Sequence, residues 1–342
     1  MRIAIVASPV TPIGGAQVGG AQSVICDLAQ GLARRGHAVQ VHCAEGSNLP
    51  GVELITVPVP PDAAAALVLP GGPQPRPTPG VAAAIDTMFS RISDHMPDAI
   101  SVHAFDAPAM RAAATMPALC TLHMPPLVDA VVEAVRVVPA IRLVTVSQAC
   151  RRDWNAVGIP VSNVLRNGVC DIPVPEQPAD RVALIAGRIS PEKGVDHALL
   201  AAKAAGLRSR VAGAHYDPGY AIDLSDAEVV GSLRQDQLRQ LMARSAVTIC
   251  AVRWEEPFGL VAAEAQMAGC PVAAYRRGAM PEVVDDGVSG FLAAPDDIED
   301  LTAAIGRCLT LERASVRRSA LSRLHVEGML DGYEKALGSI AA

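Results

Sequence analysis

Aromatic side chains are scarce in this sequence: Phe, Trp and Tyr make up 3% of the 342 residues, although hydrophobic residues make up 50%. The interior must therefore be built from Ala, Val, Leu and Ile, which suits buried parallel strands covered by Ala-rich helices. Positive charge is not in excess either, since the formal net charge is −6. A chain without a basic field is not expected to bind nucleic acid.

Long apolar runs are also absent, and no stretch approaches the roughly 18–20 consecutive apolar residues that span a bilayer. Met1 and Arg2 lead directly into the apolar run Ile3–Val6, which leaves no room for a signal peptide. We therefore expect a soluble, cytoplasmic protein with no transmembrane segment. The eight cysteines form no CxxC pair, so we expect small buried thiols in a reducing compartment and no metal site.

The length of the chain predicts two α/β domains, because one hydrophobic core rarely serves more than about 250–300 residues. Short β-branched runs alternate with Ala- and Leu-rich helical segments, which predicts parallel sheets with right-handed crossovers. The turn-rich segment Asn167–Pro178 marks a linker. We expect an N-terminal domain over 1–174, a C-terminal domain over 175–325, and a C-terminal helix in 326–342 that packs back on the first domain.

The periodicity also predicts individual elements. Strands are expected at Ile3–Ala7, Ala38–His42, Leu54–Val57, Ala99–His103, Ala118–Leu122, Leu143–Val146, Val182–Ala186, Ser209–Ala212, Val229–Gly231, Val247–Cys250 and Pro271–Ala274. Helices are expected at Ala21–Arg35, Gly80–Ile92, Val195–Ala205, Gln235–Ser245 and Phe258–Ala268. The segment Pro58–Pro79 is rich in proline and glycine, so we expect a long loop without helix there.

A glycine-rich segment, Gly14–Gln22, follows the first predicted strand and opens the first predicted helix. Glycines let the backbone approach a bound group, and a helix start offers free N–H donors to an anion. Nicotinamide binding is a possible alternative for such a turn. The spacing is not GxGxxG, however, and Glu45 falls after the second strand and not at its end, which disfavours that cofactor.

A second strand-to-helix turn, Gly187–Gly194, carries two cations, Arg188 and Lys193. Arg188 offers a planar fork of donors and Lys193 a compact point charge, and Pro191 suits the first turn of a helix. Together they could neutralise a departing diphosphate. The alternative is a pair of solvated surface cations without a ligand.

A third segment, Trp254–Ala265, places Glu264 in a predicted helix that is otherwise apolar. A buried carboxylate needs partners, which ribose hydroxyls could supply; the alternative is an internal pair with Arg or Lys from a neighbouring helix. Glu256 lies in the turn before that helix, so it can face a different part of one extended ligand. Glu255 is expected to face solvent.

Taken in order, these motifs resemble the retaining glycosyltransferases of family 4, and the resemblance covers nearly the whole chain. The residues that carry it are Gly19–Gln22, Val144–Ser147, Asn167–Val169, Gly187–Gly194, the Glu256/Glu264 pair, Gly269–Ala273, Gly278–Val284 and Gly287–Phe291. That family has the GT-B fold, in which two Rossmann-like parallel-sheet domains face each other across a cleft. The sequence is therefore identified as that of a glycosyltransferase of the hexosyltransferase class.

The resemblance implies a role for each residue that matches. Arg188 and Lys193 would hold the diphosphate of a nucleotide sugar, Glu264 the ribose, and Glu256 the hydroxyls of the donated sugar. The remaining contacts would come from main-chain groups of Gly19, Gly20, Phe258, Gly259 and Leu260. The resemblance also implies retention of the anomeric configuration, no metal and no cofactor besides the donor substrate. We expect a small-molecule acceptor, and the donor base can be uracil, guanine or adenine.

Family members often have a histidine of the first domain in contact with the donated sugar. Two residues qualify, His103 and His123, because each follows a predicted strand at its carboxyl end, where parallel sheets bind ligands. The sequence departs from the family pattern at two places. Gln22 stands where a glutamate is usual, and the family's His-x-His reads His103-Ala104-Phe105, so the choice between the two histidines stays open.

Two other functions fit the same fold. One is a nucleotide-sugar epimerase, which would give an epimer without an acceptor. The other is a catalytically silent protein that binds a nucleotide sugar. The presence of the whole phosphate- and sugar-binding set favours transfer over both.

Overall fold

The computed structural model describes residues 1–14, 19–68, 70–171, 180–217 and 219–341. Their strands are β1 Arg2–Val6, β2 Ala38–Ala44, β3 Glu53–Val57, β4 Ala99–Val102, β5 Ala118–Leu122, β6 Leu143–Thr145, β7 Asn163–Val164, β8 Asp180–Ala186, β9 Arg208–Ala212, β10 Ala227–Val229, β11 Ser245–Cys250, β12 Val272–Tyr275 and β13 Gly290–Ala293. Their helices are α1 Gly20–Arg34, α2 Pro79–His95, α3 Ala107–Ala113, α4 Asp129–Val135, α5 Gln148–Ala156, α6 Val195–Ala204, α7 Gln235–Arg244, α8 Leu260–Met267, α9 Met280–Val283, α10 Ile298–Cys308, α11 Arg313–Leu324 and α12 Val326–Ala341.

The chain divides into two compact units. The first consists of Met1–Gly168 together with Glu327–Ala342, and the second of Val169–Val326. Residues 172–179, which include most of the turn-rich segment that predicts a linker, lie outside the described residues. No helix in the described part of the chain is long and apolar enough to cross a membrane.

The first unit is built on a seven-stranded sheet in the order β3-β2-β1-β4-β5-β6-β7. Every strand pair in it is parallel. The central strands β4, β5 and β6 are buried along their whole length, because helices cover both faces of a parallel sheet. The core on one face joins this sheet to α2, α3 and α4 and contains Trp154 of α5.

The C-terminal helix α12 belongs to the first unit from Glu327 onward. Arg35, which directly follows α1, contacts the carboxylates of three residues of α12 at 2.5–2.8 Å: Glu327, Asp331 and Glu334. One turn of α12 also places Tyr333 in the interior, where its hydroxyl lies 3.0 Å from Oγ1 of Thr121. This helix is therefore an integral part of the first unit.

The second unit is built on a six-stranded parallel sheet in the order β10-β9-β8-β11-β12-β13. Its core on one face joins the sheet to α6 and α10 and consists mainly of Ala, Val, Ile and Leu. The helices α7 and α8 carry further buried residues, among them Met242 and Ala263. The predicted fold class, α/β with two parallel sheets, is confirmed.

Three details of the structure differ from the predicted elements. The segment predicted as a loop without helix contains a 3-10 turn at Ala63–Ala66, and Pro79 is the first residue of α2, a position that a proline's fixed φ suits. The short strands β7 and β13 were not predicted, and neither were the helices α3, α4, α5, α9, α10 and α11. The strand predicted at Val229–Gly231 lies two residues earlier, since Gly231 adopts φ +73°.

Candidate active site

The carboxyl edge of the second unit's sheet carries three of the predicted site residues. Arg188 follows β8, and Lys193 closes a 3-10 turn that precedes α6. Glu256 lies between β11 and α8. Because the carboxyl ends of parallel strands share one edge, residues far apart in sequence meet there.

Lys193 and Glu256 form an ion pair. Nζ of Lys193 lies 2.7 Å from Oε2 of Glu256, and Nε1 of Trp254 donates to the same oxygen at 2.8 Å. The ammonium also lies 5.2 Å from the ring centroid of Trp254, within cation–π range. The sequence analysis assigned the two charged residues to different parts of a ligand and gave Trp254 no role, whereas the structure brings all three together.

The turn after β12 fixes the backbone beside Glu256. The N–H of Ala279 donates to the carbonyl oxygen of Glu256 at 2.8 Å. The N–H of Gly278 donates to the exposed carboxylate of Glu255 at 3.0 Å. Gly278 adopts φ +56°, and a Cβ at this position would lie 2.4 Å from the backbone nitrogen of Glu256. A larger residue is therefore strained here and would displace Glu256.

Arg188 lies in a separate cluster on the same edge. Its Nη2 lies 3.2 Å from Oε1 of the buried Glu192, and its guanidinium carbon lies 4.8 Å from the ring centroid of Tyr216. Sequence reasoning named neither partner. The contacts fix the position of the guanidinium and leave its side chain 26% exposed, so it can still meet a ligand.

Glu264 is buried in α8, as its apolar neighbours predicted. Its Oε1 accepts hydrogen bonds from Nε2 of Gln235 at 2.8 Å and from Nη2 of Arg239 at 3.2 Å. Both donors belong to α7, so the internal pair considered from the sequence is present. In the described part of the chain no donor reaches Oε2, which is not fully enclosed. The internal pair and a ligand contact are thus compatible.

The main-chain groups predicted to assist lie at the start of α8. Phe258 is buried, Gly259 adopts φ +92° as the residue before the helix, and Leu260 is its first residue. This left-handed conformation favours glycine, and a Cβ here would also lie 2.3 Å from the mobile methyl end of Met280. The first N–H groups of α8 have no partner within the helix and form a site that can accept an anion.

In the first unit, Gly19 and Gly20 lie at the start of α1. The rest of the glycine-rich motif, residues 15–18, lies outside the described residues. Gln22, which replaces the usual glutamate, donates from Nε2 to Oγ1 of Thr11 at 3.0 Å. This contact joins the helix start to the loop after β1.

The two candidate histidines contact each other. Nδ1 of His103 lies 2.8 Å from Nε2 of His123, and Nε2 of His103 lies 2.9 Å from Oγ of Ser101. Burial lowers the pKa of His123 to about 4 and that of His103 well below its usual range, which the neighbouring His123 lowers further. Both rings are therefore neutral near pH 7. The result is a buried chain of hydrogen bonds that no single motif predicted.

The open end of this chain is His123. Its Nδ1 has no hydrogen-bond partner in the described ranges and is not fully enclosed, whereas both ring nitrogens of His103 are engaged. Two proton arrangements satisfy the chain, and they leave Nδ1 of His123 either as a donor or as an acceptor. The geometry thus separates two residues that the sequence left equivalent.

Buried acidic and thiol groups complete the chemistry of the two units. The carboxyl group of Asp106 accepts from Oγ of Ser8 at 2.9 Å, and burial raises its pKa. Seven of the eight cysteines are buried, and Cys170 is partly exposed. Among the described residues, no group of three or more His, Cys, Asp or Glu is arranged to hold a metal ion.

Comparison with known families accounts for both units. Residues 18–171 match the model described as Glycosyltransferase Family 4, and residues 173–323 match the model described as Glycosyl transferases group 1. The chain belongs to the family 4 glycosyltransferases. The family predicted from the sequence is thereby confirmed.

Characterised relatives align with part of the chain. The D-inositol 3-phosphate glycosyltransferase of Mycobacterium marinum is 35% identical over 191 residues, which cover 48% of this chain and 41% of that relative. The MMP alpha-(1->4)-mannosyltransferase of Mycolicibacterium hassiacum is 36% identical over 121 residues, which cover 32% and 29%. The chain thus spans less than half the length of either relative.

Solved structures resemble the chain over its full length. Anabaena HepE in complex with UDP-glucose superposes with a TM-score of 0.76 at 20% identity, covering 99% of this chain and all of that one. AviGT4, a glycosyltransferase involved in avilamycin A biosynthesis, gives a TM-score of 0.73 at 21% identity, covering 100% and 98%. At this identity the likeness shows the fold, and it confirms the predicted GT-B class.

Proposed function

We propose that this family 4 member transfers a sugar from a nucleoside diphosphate sugar to a small polar acceptor, with retention of the anomeric configuration and without a metal ion. The observation that carries the proposal is the arrangement of Glu256 and Glu264 on the second unit. Each carboxylate is held through one oxygen by a cation and a neutral N–H donor. In the described residues each has a second oxygen without a protein donor.

Two oriented acceptors of this kind suit hydroxyl groups. A sugar or a ribose donates hydrogen bonds to a carboxylate, and a charged acceptor makes these bonds about twice as strong as neutral ones. We assign the ribose to Glu264 and the hydroxyls of the donated sugar to Glu256, as the family resemblance implies. Phe258, Gly259 and Leu260 add the N–H groups of a helix start.

Arg188 and Lys193 supply the positive charge for the diphosphate. Lys193 lies between Glu256 and the ring of Trp254 with its side chain 21% exposed, so its ammonium can be shared between the carboxylate and a phosphate oxygen. A diphosphate that leaves gains negative charge, and fixed cations stabilise it most at that moment. Cationic side chains can thus take the place of a metal ion.

The transfer itself needs little covalent chemistry from the protein. The bond from the anomeric carbon to the phosphate oxygen breaks, and a bond from the same carbon to the acceptor oxygen forms on the same face. The proton of the acceptor hydroxyl passes to an oxygen of the leaving diphosphate. The residues of the site orient the reactants and exclude water.

The histidine role that the resemblance assigns to the first unit falls on His123. Its Nδ1 is the accessible end of the hydrogen-bonded chain, and His103 and Ser101 lie behind it. A neutral imidazole can donate to or accept from a sugar hydroxyl without adding charge. His103 then acts through His123 and has no ligand contact of its own.

A small acceptor is favoured by the relatives named for D-inositol 3-phosphate. An inositol phosphate, or a molecule with similar hydroxyl and phosphate groups, is the first acceptor to test. The shared part of the sequence covers under half of those proteins, so acceptor trials should include other polyols.

A thermal-shift screen with UDP, GDP and ADP, followed by their sugars, tests donor binding, because a ligand that binds the native state raises its melting temperature. The donor so identified is then incubated with inositol phosphates and other polyols. Release of nucleoside diphosphate measures turnover, NMR of the anomeric proton gives the stereochemistry, and EDTA tests metal independence. The proposal fails if no nucleoside diphosphate sugar binds, or if a bound donor yields an acceptor-free epimer.

A further inference from the structure

Arg239 is a cation on the buried face of α7. The residue is 6% exposed, and it shares this face with Met242 and Ala243. Lone charges are costly in such a place, so a buried arginine normally has a partner. Its partner is Glu264, at 3.2 Å between Nη2 and Oε1.

The pair holds Glu264 in a defined geometry. Arg239 and Gln235 both donate to Oε1, and they lie one turn apart on α7. Two donors on one oxygen restrict the orientation of the carboxylate. The second oxygen, Oε2, is the part of the group that another donor can reach.

The ion pair between Glu256 and Lys193 differs from the pair between Glu264 and Arg239 in how exposed its cation is. Its partner Lys193 has a side chain 21% exposed, whereas the Arg239 side chain is 8% exposed. An enclosed guanidinium contributes less to an external ligand than to the carboxylate beside it. Its planar fork also keeps one geometry, which a flexible ammonium does not.

We propose that Arg239 is a positioning residue: it holds the carboxylate of Glu264 with Oε2 directed at ribose hydroxyls, and so sets the preference for ribonucleotides over 2′-deoxyribonucleotides. The inference rests on the proposed function, because it requires a nucleotide at this site. Removal of Arg239 leaves Glu264 buried without its counter-charge. The carboxylate then loses its fixed orientation, and its acceptor function is lost.

The test compares the dissociation constants of UDP, GDP and ADP with those of dUDP, dGDP and dADP by calorimetry. The variants are Arg239→Met, which keeps the length without the charge, Arg239→Lys and Glu264→Gln. Arg244→Met is the matched control, because Arg244 is exposed at the other end of the same helix. The wild-type chain should bind the ribonucleotide about tenfold more tightly, as expected for one charged hydrogen bond.

In Arg239→Met and Glu264→Gln this ratio should fall to about one- to twofold, while the affinity for the 2′-deoxy form changes little. Arg239→Lys should give an intermediate ratio, and Arg244→Met the wild-type ratio. A purely structural role would weaken both nucleotides equally and leave the ratio unchanged, which overturns the inference. A wild-type chain that binds both forms equally overturns it as well.

A second variant keeps the test decisive if Arg239→Met does not fold. Gln235→Ala removes the other donor to Oε1 from a partly exposed position, and the ratio should fall about threefold. An unchanged ratio in Gln235→Ala then refutes the positioning role. Failure of the wild-type chain to bind any of the six nucleotides is a different result, since it refutes the proposed function itself.

Discussion

The carboxyl edges of the two sheets carry opposite kinds of chemistry. In the first unit, His103 and His123 contact each other, and burial lowers the pKa of both. Burial also raises the pKa of Asp106 at the same edge. All three groups are thus shifted toward their neutral forms.

In the second unit the corresponding groups are charged and paired. Lys193 contacts Glu256, Arg188 contacts Glu192, and Arg239 contacts Glu264. Every buried carboxylate in this set has a cation within 3.2 Å, which offsets the cost of removing it from water. The groups of the two units therefore differ in whether an oppositely charged partner is present, and not in how deeply they are buried.

This difference indicates a division of labour. In the proposed function, the charged residues of the second unit bind the diphosphate and, through Glu256 and Glu264, the hydroxyls of the donor. His123 of the first unit adds an uncharged donor or acceptor for a sugar hydroxyl. The residues that follow the strands of each sheet thus supply different kinds of contact.

The largest effect is expected from Lys193→Ala, which removes one of the charged groups of the second unit. Loss of the cation should lower kcat/KM about 100- to 1000-fold, because it stabilises charge that develops on the leaving diphosphate. The release of nucleoside diphosphate measures the rate, and thermal unfolding should stay close to wild type.

Lys203→Ala is the control for that substitution. Lys203 lies on α6, pairs with Asp226, and has a side chain 74% exposed. It should leave turnover unchanged. If the turnover of Lys193→Ala were close to that of Lys203→Ala, Lys193 would have no role in the active site.

Two histidine variants test the neutral groups of the first unit. His123→Ala should lower turnover about 100-fold, whereas His103→Ala, which removes only the residue behind it, should lower it about tenfold. Because both rings are neutral, the pH profile of the wild-type rate should show no step from either of them between pH 5 and 8. A larger loss in His103→Ala than in His123→Ala would reverse their roles.

The third effect concerns the backbone that supports Glu256. Gly278→Ala introduces a Cβ 2.4 Å from the nitrogen of Glu256 at φ +56°. It should weaken donor binding about tenfold, because one contact is displaced. This corresponds to a loss of about 1.4 kcal/mol of binding free energy. Calorimetric titration with the donor measures this change.

Gly287→Ala is the matched control, because Gly287 also has a positive φ, +87°, but nothing within 4 Å of the added Cβ. Both variants strain the backbone, and only Gly278→Ala collides with the site. Equal donor affinity in the two variants would show that the turn after β12 does not support Glu256.

The sequence predicted the framework well because apolar runs mark buried strands. The strand at Ala118–Leu122 has the predicted bounds, and most others agree within two residues. β7 was missed because two residues give no periodicity, and β13 because it begins with Gly290, a residue that weakens a strand signal.

The pairing of side chains could not be predicted in the same way. Lys193 and Glu256 are 63 residues apart, and only the order of the strands brings them together. Arg239 did leave a signal, since it is a charge on the apolar face of an amphipathic helix, a position where charges are rare. The contact of His103 with His123 follows from the adjacency of β4 and β5, which the sequence predicted only as neighbours along the chain.

The smallest expected effect tests whether burial without a partner is costly in the first unit. His42 on β2 is fully buried, and neither ring nitrogen has a hydrogen-bond partner in the described ranges. Burial lowers its pKa from 6.5 to about 4, and the neighbouring His95 and Arg91 side chains lower it further. His42→Leu, which is similar in volume, should therefore stabilise the native state by about 1 kcal/mol at pH 7.5.

The gain should grow as the pH falls. Below pH 6.5 the unfolded chain takes up a proton at His42 that the native chain refuses until about pH 4, so the wild-type protein loses stability in that window. The leucine variant has no such loss, and its advantage should reach about 2 kcal/mol at pH 5.5. Urea unfolding at the two pH values measures it. His215→Leu, at an exposed position after β9 in the second unit, should show no such gain, and a destabilised His42→Leu would mean that the buried ring has a necessary polar contact.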